Sequence, residues 1–525
     1  MPSLIERQAF SDFEQSHSNQ KIYAMKTTLI FFIVVISLGL RLAFIFHSDL
    51  LVEEAYYWNY ANHLDMGYLD HPPMVALLIK ITTLLFGINE FGVRISTLLC
   101  WFVTTWFICK LTNLISKGSG IYAIMLLSIF PFFFLQSMII TPDQPLILCW
   151  SAALYCLFRA LVKQESRYWY AAGIWIGLGL LSKYTVVLLG FATLIYVIFI
   201  PEYRVCLKRK EPYFCALIAI FFFTPVIYWN ATHAWASFAF QSTRRFNATD
   251  DFSFYQYLGL LVLFLTPLGL FSLWTLYRPP NLVQILNVEY YKKRFLQLYT
   301  MVPLVIFGLF SLRHQIKFNW IGPGLLAIIP WIAIDIADNC QKRTQTLLNG
   351  WIITAILLLS GYSSLIFIGA TGTPAWAYQA FLTKYIDWNN LTLQINQIAH
   401  DLEQETHHSP TIIPLDSYNI GSELSFYQEK QWKNGNIEKI YPIIGSHVFG
   451  RQSLMYQYWS NNVQLFGKML LLVSKEPSAF FYNDINKLAI KKSSIHEIWS
   501  KSPKKGNLVT PYYYQIVEMK PKTHP

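Results

Sequence analysis

Residues 26–74 read KTTLIFFIVVISLGLRLAFIFHSDLLVEEAYYWNYANHLDMGYLDHPPM, and the two halves of this stretch have opposite chemistry. The first, 26–46, is almost unbroken hydrocarbon, and a helix of about 20 such residues spans a bilayer core. The second, Leu51–Met74, crowds two adjacent glutamates, four tyrosines, a tryptophan, two aspartates and two histidines into one loop. An apolar span running straight into dense titratable chemistry describes a membrane protein with reactive groups gathered at one membrane face.

The rest of the chain repeats the apolar signal. Of 525 residues, 54% are hydrophobic, 17% aromatic and only 14% charged, whereas a soluble protein of this size needs roughly a quarter charged. Apolar runs at 26–46, 91–113, 119–138, 145–162, 168–182, 184–200, 213–230, 255–277, 296–312, 319–336 and 347–369 read as spans. The expected architecture is a polytopic α-helical membrane protein with about 11–13 transmembrane helices. The segment 72–87, PPMVALLIKITTLLFG, is short and carries Lys80, so it reads as an interfacial helix. Residues 1–25 are polar and have no cleavage pattern, so they form a tail before a retained span.

A net charge of +11 could serve nucleic acid, but in a membrane chain the positions of the charges decide. With a cytoplasmic N-terminus, the inner loops hold Lys117, then Arg159, Lys163 and Arg167, then Arg204, Lys208, Arg209 and Lys210. Arg278, Lys292, Lys293, Arg294, Lys342 and Arg343 follow on the same side, and only short pieces such as TRRF and RHQIK break the pattern. The positive-inside bias therefore turns the loop 47–90, Asp143, Lys183, residues 313–320 and everything after 370 outward. No nucleic-acid partner is expected.

Beyond residue 370 the pattern changes. TIIPL, KIYPIIG, KMLLLVSK and YYYQIVEM read as strands and SELSFYQ as a helix, so 371–525 is expected to be a small outer α/β domain after a membrane domain at 26–370. All seven cysteines lie before residue 341, so this domain has no disulfide framework. The chain shows no internal repeat.

A charge within a span costs about 2.5–3.5 kcal/mol on insertion scales, and this chain keeps acids and bases at the outer ends, Arg41 and Asp335 being the main exceptions. On helical spacing Glu53 shares a face with Tyr57 and Tyr60, and Glu54 shares one with Trp58 and Ala61. A carboxylate among aromatic rings loses solvation, which raises its proton affinity toward that of a general base. The plainer alternative is a solvated pair favouring a helix N-terminus. Asp143, in TPDQPL, stands between two prolines that fix its turn; an ordinary turn is the competing reading. Lys183, in LLSKYT, opposes the charge bias as an outer-face cation, by snorkelling or by meeting a phosphate. RHQIKFNW adds Arg313, His314, Lys317 and Trp320 on the same side.

Two apparent motifs are set aside. GLGLLSK at 177–183 has the wrong spacing for a phosphate loop, and Gly173 and Gly177 instead suit close helix contact. His407 and His408 have no partner at metal-ligand spacing.

Taken in order, EEAYYW, GYLDHPPM, NEFGVRIS, TPDQPL, LLSKYT and FNWIGP resemble the bacterial C-type glycosyltransferases. That superfamily includes the protein O-mannosyltransferases and lipid A aminoarabinose transferases, which use polyprenyl-phosphate-linked sugars. SYNIGSELSFYQ and GRQSLMYQYW resemble the outer domain of one bacterial branch, so the resemblance covers roughly residues 26–460. It implies an inner-membrane enzyme that passes a sugar from a polyprenyl phosphate to a lipid or protein acceptor at the outer face. By position Glu53 matches the carboxylate taken as the family's catalytic base and Glu54 its neighbour, although the family usually has Asp-Glu there. Asp143 matches the acid of the second outer loop. His71 stands where aminoarabinose-transferase relatives carry a lysine, and would be a pH-dependent phosphate partner. Lys183, His71 and Arg94 would hold the donor phosphate, and Tyr57, Asp70, Arg313, His314 and Trp320 are candidate substrate contacts. A single displacement inverts the anomeric carbon. The leaving group has one phosphate, so no metal or other cofactor is expected.

A proton-coupled transporter or flippase is the alternative from another class, but it would show repeated halves and central ionisable residues. A non-catalytic relative is the third reading, motivated by Glu53 and His71.

Overall fold

A chain in hydrocarbon must satisfy its backbone polar groups internally, so the apolar runs become helices. The computed structural model describes residues 27–242, 251–278, 288–341, 345–382, 386–460, 465–502 and 508–521. The expected tail at 1–25, the TRRF piece at 243–246, and Lys342 and Arg343 lie outside the described residues.

The chain begins with α1 (Thr27–His47), and the first loop then folds as α2 (Val52–Asn62) and α3 (Met74–Phe86). Next come α4 (Glu90–Ile115), α5 (Gly120–Ile129), α6 (Pro131–Gln136), α7 (Asp143–Leu161) and α8 (Arg167–Leu180). The bundle continues with α9 (Val187–Phe199), α10 (Glu211–Thr232), α11 (Ala236–Gln241) and α12 (Phe254–Tyr277). It closes with α13 (Val288–Phe310), α14 (Ile329–Gln341) and α15 (Thr346–Thr371).

Eight helices among the described residues are long and apolar enough to cross a membrane, or nine if the bent pair Tyr184–Phe199 and Pro201–Lys208 counts as one. The other expected spans are shorter or broken. The run 119–138 splits into α5 and α6 because Pro131 follows an extended Phe130 (φ −59°, ψ 129°) and cannot continue the helix. The run 168–182 yields only the 14 residues of α8. As expected, α3 is a short helix; it buries Val75, Ala76 and Ile79 while Leu84 and Leu85 stay exposed. Gly173 and Gly177 also behave as expected: a Cβ on either would come within 2.6 Å of α10, at the Cys215 carbonyl oxygen and the Phe222 Cβ.

The C-terminal region, expected on the outer face, has α16 (Ala375–Phe381), α17 (Trp388–Thr406), β1 (Thr411–Pro414), α18 (Asn419–Lys433) and α19 (Tyr456–Trp459). They are followed by β2 (Met469–Ser474), α20 (Asn483–Leu488), β3 (Ala489–Lys492), β4 (His496–Lys501) and β5 (Leu508–Met519). The sheet runs β1-β2-β5-β3, with β4 also on β5. β1 pairs parallel to β2, Thr411 opposite Leu470, and β2 pairs antiparallel to β5, Leu472 opposite Gln515. β5 then takes β4 along its first half (His496 opposite Tyr514) and β3 at its end (Ala489 opposite Met519). KIYPIIG is not a strand. It makes one bridge, Ile443 to Ile412, beside Pro442, which has no N–H to donate.

The first loop shares a core with the outer domain. Ala55, Trp58 and Tyr60 of α2 belong to the same buried cluster as Leu424, Phe426, Tyr427, Leu471 and Val473. The expected boundary, with loop 47–90 inside the membrane domain, follows the order of the chain; this core follows contact. The two ends of α4 show the polarity of the bundle. Glu90 at its start pairs with Lys430 of α18 at 2.5 Å, and Ile115 at its end accepts a hydrogen bond from Lys292 at 3.1 Å. The basic residues 292–294 therefore lie at the end opposite the outer domain.

Candidate active site

Glu53 and Glu54 fill the first turn of α2, where acids suit the exposed N–H groups and the helix dipole. The helix turns them to different worlds. Glu53 is exposed, and among the described residues no hydrogen bond reaches its carboxylate. Glu54 is fully buried and saturated. It accepts from Arg94 Nε at 2.9 Å and Nη2 at 2.6 Å, from the Ile140 N–H at 3.0 Å, and from the Leu51 N–H at 2.9 Å. Arg94, equally buried, also donates to the carbonyls of Ser48 (2.6 Å) and Asp49 (2.7 Å). This pair pins the loop before α2, α4 and the turn leading to Asp143 at one point.

Two sequence expectations are corrected here. Glu54 has no free lone pair for a substrate proton, so it does not share the role of base. Arg94 spends its guanidinium on Glu54 and two carbonyls, so it is an internal counter-ion and not a donor-phosphate ligand.

Asp143 and Lys183 meet directly. Lys183 Nζ lies 2.7 Å from Asp143 Oδ1, and Asn319 Nδ2 donates to Asp143 Oδ2 at 2.5 Å. Both ionic groups are buried, Asp143 at 1% exposure and Lys183 at 6%. Lys183 reaches this point because α8 stops at Leu180 and the chain turns extended at Lys183 (φ −161°, ψ 137°). The turn is tied to the first loop by a hydrogen bond from the Met74 N–H to the Leu181 carbonyl at 2.9 Å.

Asp70 accepts from the Tyr60 hydroxyl and, at 3.4 Å, from that of Tyr56. Burial pushes its carboxyl up to about 6, against those hydrogen bonds and the positive charge of Lys317. Gln241 donates to the Asp70 carbonyl. Tyr57 stands among the acids: burial and then the charges of Asp70, Asp143, Tyr418 and Glu53 hold its phenol protonated, well above the ordinary range. His71 packs edge-on to Tyr57 at 5.8 Å.

The structure thus brings Glu53, Tyr57, Asp70, His71, Asp143 and Lys183 to one place. The remaining candidates are spread out. Trp320 packs inward on Phe307 and Phe310. His314 lies on Phe310, and Arg313 is exposed with its carbonyl bonded to Asp251. Asn319 on Asp143, and Tyr60 and Tyr56 on Asp70, were missed as individual residues. Asn319 lay within the quoted FNWIGP, and two tyrosines spaced four apart were a signal for a shared acceptor. Among the described residues no three His, Cys, Asp or Glu side chains are grouped to hold a metal. The arrangement places a solvent-facing carboxylate, Glu53, at the same end of the bundle as the buried Lys183–Asp143 pair.

The family model of dolichyl-phosphate-mannose-protein mannosyltransferase matches residues 70–229, which include Asp70, His71, Asp143 and Lys183. A lipid A galacturonosyltransferase, RgtD of Rhizobium johnstonii, is 26% identical over 192 residues, covering 35% of this chain and 39% of that relative. ArnT from Cupriavidus metallidurans shares the fold. Its apo structure aligns with TM-score 0.62 and 11% identity over 93% of this chain and 98% of that one. Its structure bound to undecaprenyl phosphate gives 0.63 and 13% over the same shares. The chain is thus similar in fold to ArnT and, over residues 70–229, to the dolichyl-phosphate-mannose-protein mannosyltransferases.

Proposed function

We propose that this protein transfers a sugar from a polyprenyl-phosphate carrier to a lipid acceptor of the cell envelope, at the outer face of the inner membrane. The observation that carries the reading is the pairing of an exposed, unengaged Glu53 with a buried Lys183–Asp143–Asn319 cluster at the same end of the bundle. The name of RgtD supports a lipid A acceptor, and the lipid bound to ArnT supports the carrier.

In this mechanism Glu53 removes the proton from an acceptor hydroxyl. The freed oxygen attacks the anomeric carbon, the bond to the phosphate oxygen breaks, and polyprenyl phosphate leaves with inversion at carbon. Lys183 turns from Asp143 toward the donor, and with Lys317 and His71 it balances the charge that develops on the leaving phosphate. Asp143, held by Asn319, keeps that lysine oriented. The mechanism uses no metal. The N-terminus lies in the cytoplasm and the sheet domain outside, a reading that the positive-inside bias of the basic loops supports.

The test is donor use by Lys183→Ala. Charge-assisted contacts to phosphate contribute about 1.5–3 kcal/mol, so kcat/KM for the lipid donor should fall roughly ten- to hundred-fold. An unchanged value in folded protein would return Lys183 to a structural role.

A further inference from the structure

Outside the proposed machinery, α18 carries a buried acid that the reaction does not use. Glu423, in SYNIGSELSFYQ, is 0% exposed, and among the described residues neither of its carboxylate oxygens has a hydrogen-bond partner. Buried carboxyls are otherwise paired or hydrogen-bonded, because an isolated buried charge loses its hydration with nothing in return. A neutral carboxylic acid is the form that this site tolerates.

Its position connects it to the proposed base. Trp58 of α2 sits edge-on to Phe426 at 5.1 Å, Asn59 donates to the Ser422 carbonyl at 3.2 Å, and the Leu50 N–H donates to the Tyr427 hydroxyl at 2.9 Å. The charged groups whose fields reach Glu423 are Asp49 from the loop before α2, Glu54 and Glu53 from α2 and Arg94 from α4. Within the outer domain, Tyr427, Tyr456 and Tyr512 feel its charge. Burial first, then Asp49, Glu54 and Glu53, push its carboxyl well above the usual range, with Arg94 opposing.

We propose that Glu423 is a positioning residue of the sheet domain: a neutral carboxyl that leaves the Arg94–Glu54 pair undisturbed, and whose ionisation loosens the pin that sets α2 and Glu53. When the proton leaves to solvent, Glu423 becomes a further anion within the field of Arg94. The guanidinium is already divided among Glu54 and the Ser48 and Asp49 carbonyls, so a second carboxylate draws it from Glu54. Glu54 is also the acceptor for the Leu51 and Ile140 N–H groups, so the start of α2 and the turn before Asp143 loosen together. The sign follows from linkage. A group that holds its proton more tightly folded than unfolded destabilises the fold as pH rises above the ordinary carboxylate range toward its folded pKa.

The proposal rests on the transferase reading only for its effect on catalysis, so two measurements separate them. The first is the thermal midpoint of the full-length protein in detergent, from pH about 5 to about 10, for the wild type, Glu423→Gln and Asp49→Asn. Asp49 is the necessary comparison because burial, with Glu90 and Asp387, pushes its own carboxyl up to about 7. The wild-type midpoint should fall on the alkaline side, and Glu423→Gln should flatten that fall. The second is the pH profile of kcat with a polyprenyl-phosphate sugar. Relative to its own neutral-pH rate, Glu423→Gln should keep its activity at the alkaline end, where the wild type loses it. An alkaline limb unchanged in Glu423→Gln, or abolished by Asp49→Asn alone, would overturn the proposal. If Glu423→Gln does not fold, Glu423→Met keeps the volume without charge. Failure of both neutral variants to fold would also overturn it, since neutrality would then not suffice.

Discussion

Glu53 and Glu54 are neighbours in the chain but about 100° apart around a helix, and that angle separates solvent from a saturated ion pair. Sequence could name the two acids and could not assign them, because the residue that decides is Arg94, 40 positions later. The same long-range pairing hid the role of Arg94 and exposed that of Asn319. Separate outcomes follow for the two acids. Glu53→Gln should lower turnover by about 10²–10⁴-fold, the range of a positioned general base, with folding and donor binding kept. Glu54→Gln should instead lower the thermal midpoint, since breaking one partner of a buried pair costs about 3–5 kcal/mol. Inactive but stable Glu54→Gln, together with active Glu53→Gln, would reverse the assignment. Asp70 supplies a pH test. Its carboxyl rises from 3.8 to about 6 on folding, so it holds its proton more tightly in the fold and destabilises it as pH climbs through that window. Asp70→Asn should flatten the midpoint between those two pH values. An unchanged slope would remove Asp70 as its source.

At the scale of elements, apolar runs announced themselves, because helices in lipid need little beyond hydrophobic length. Breaks were less legible. Pro131 cut one run, and α8 stopped early so that Lys183 could turn toward Asp143. In the outer domain the strands β1, β2 and β5 follow apolar runs. AIKK and HEIWSK become β3 and β4 only because the 12-residue β5 offers them an edge, and that pairing is tertiary. A close helix contact on α8 was readable from glycine spacing, and its partner, α10, was not. Gly177→Leu should lower the midpoint, since overpacking costs about 1–3 kcal/mol, and an unchanged midpoint would mean that the two helices can separate at no cost. On α2, the fully buried Trp58 packs on Phe426. Trp58→Ala should cost about 3–5 kcal/mol and reduce turnover by releasing the helix that carries Glu53. Loss of stability with full turnover would uncouple that interface from the site.

The whole molecule is a helical bundle with a sheet domain whose core runs on into the first outer loop. The class of fold was open to reading from composition and ordered motifs. The shared core was not, since α2 and α18 are more than 350 residues apart in the chain. A reporter fused near residue 520 should be active only outside the cytoplasm, because the basic loops oppose the other orientation; cytoplasmic activity would invert the site. The most direct measurement is analysis of lipid-linked sugars and envelope glycoconjugates in membranes of a deletion strain. One polyprenyl-phosphate sugar should accumulate and one glycoconjugate should disappear. The wild-type gene should reverse both changes, and an equally expressed Glu53→Gln should reverse neither. Unchanged lipids on deletion, or full restoration by Glu53→Gln, would contradict transfer by this site.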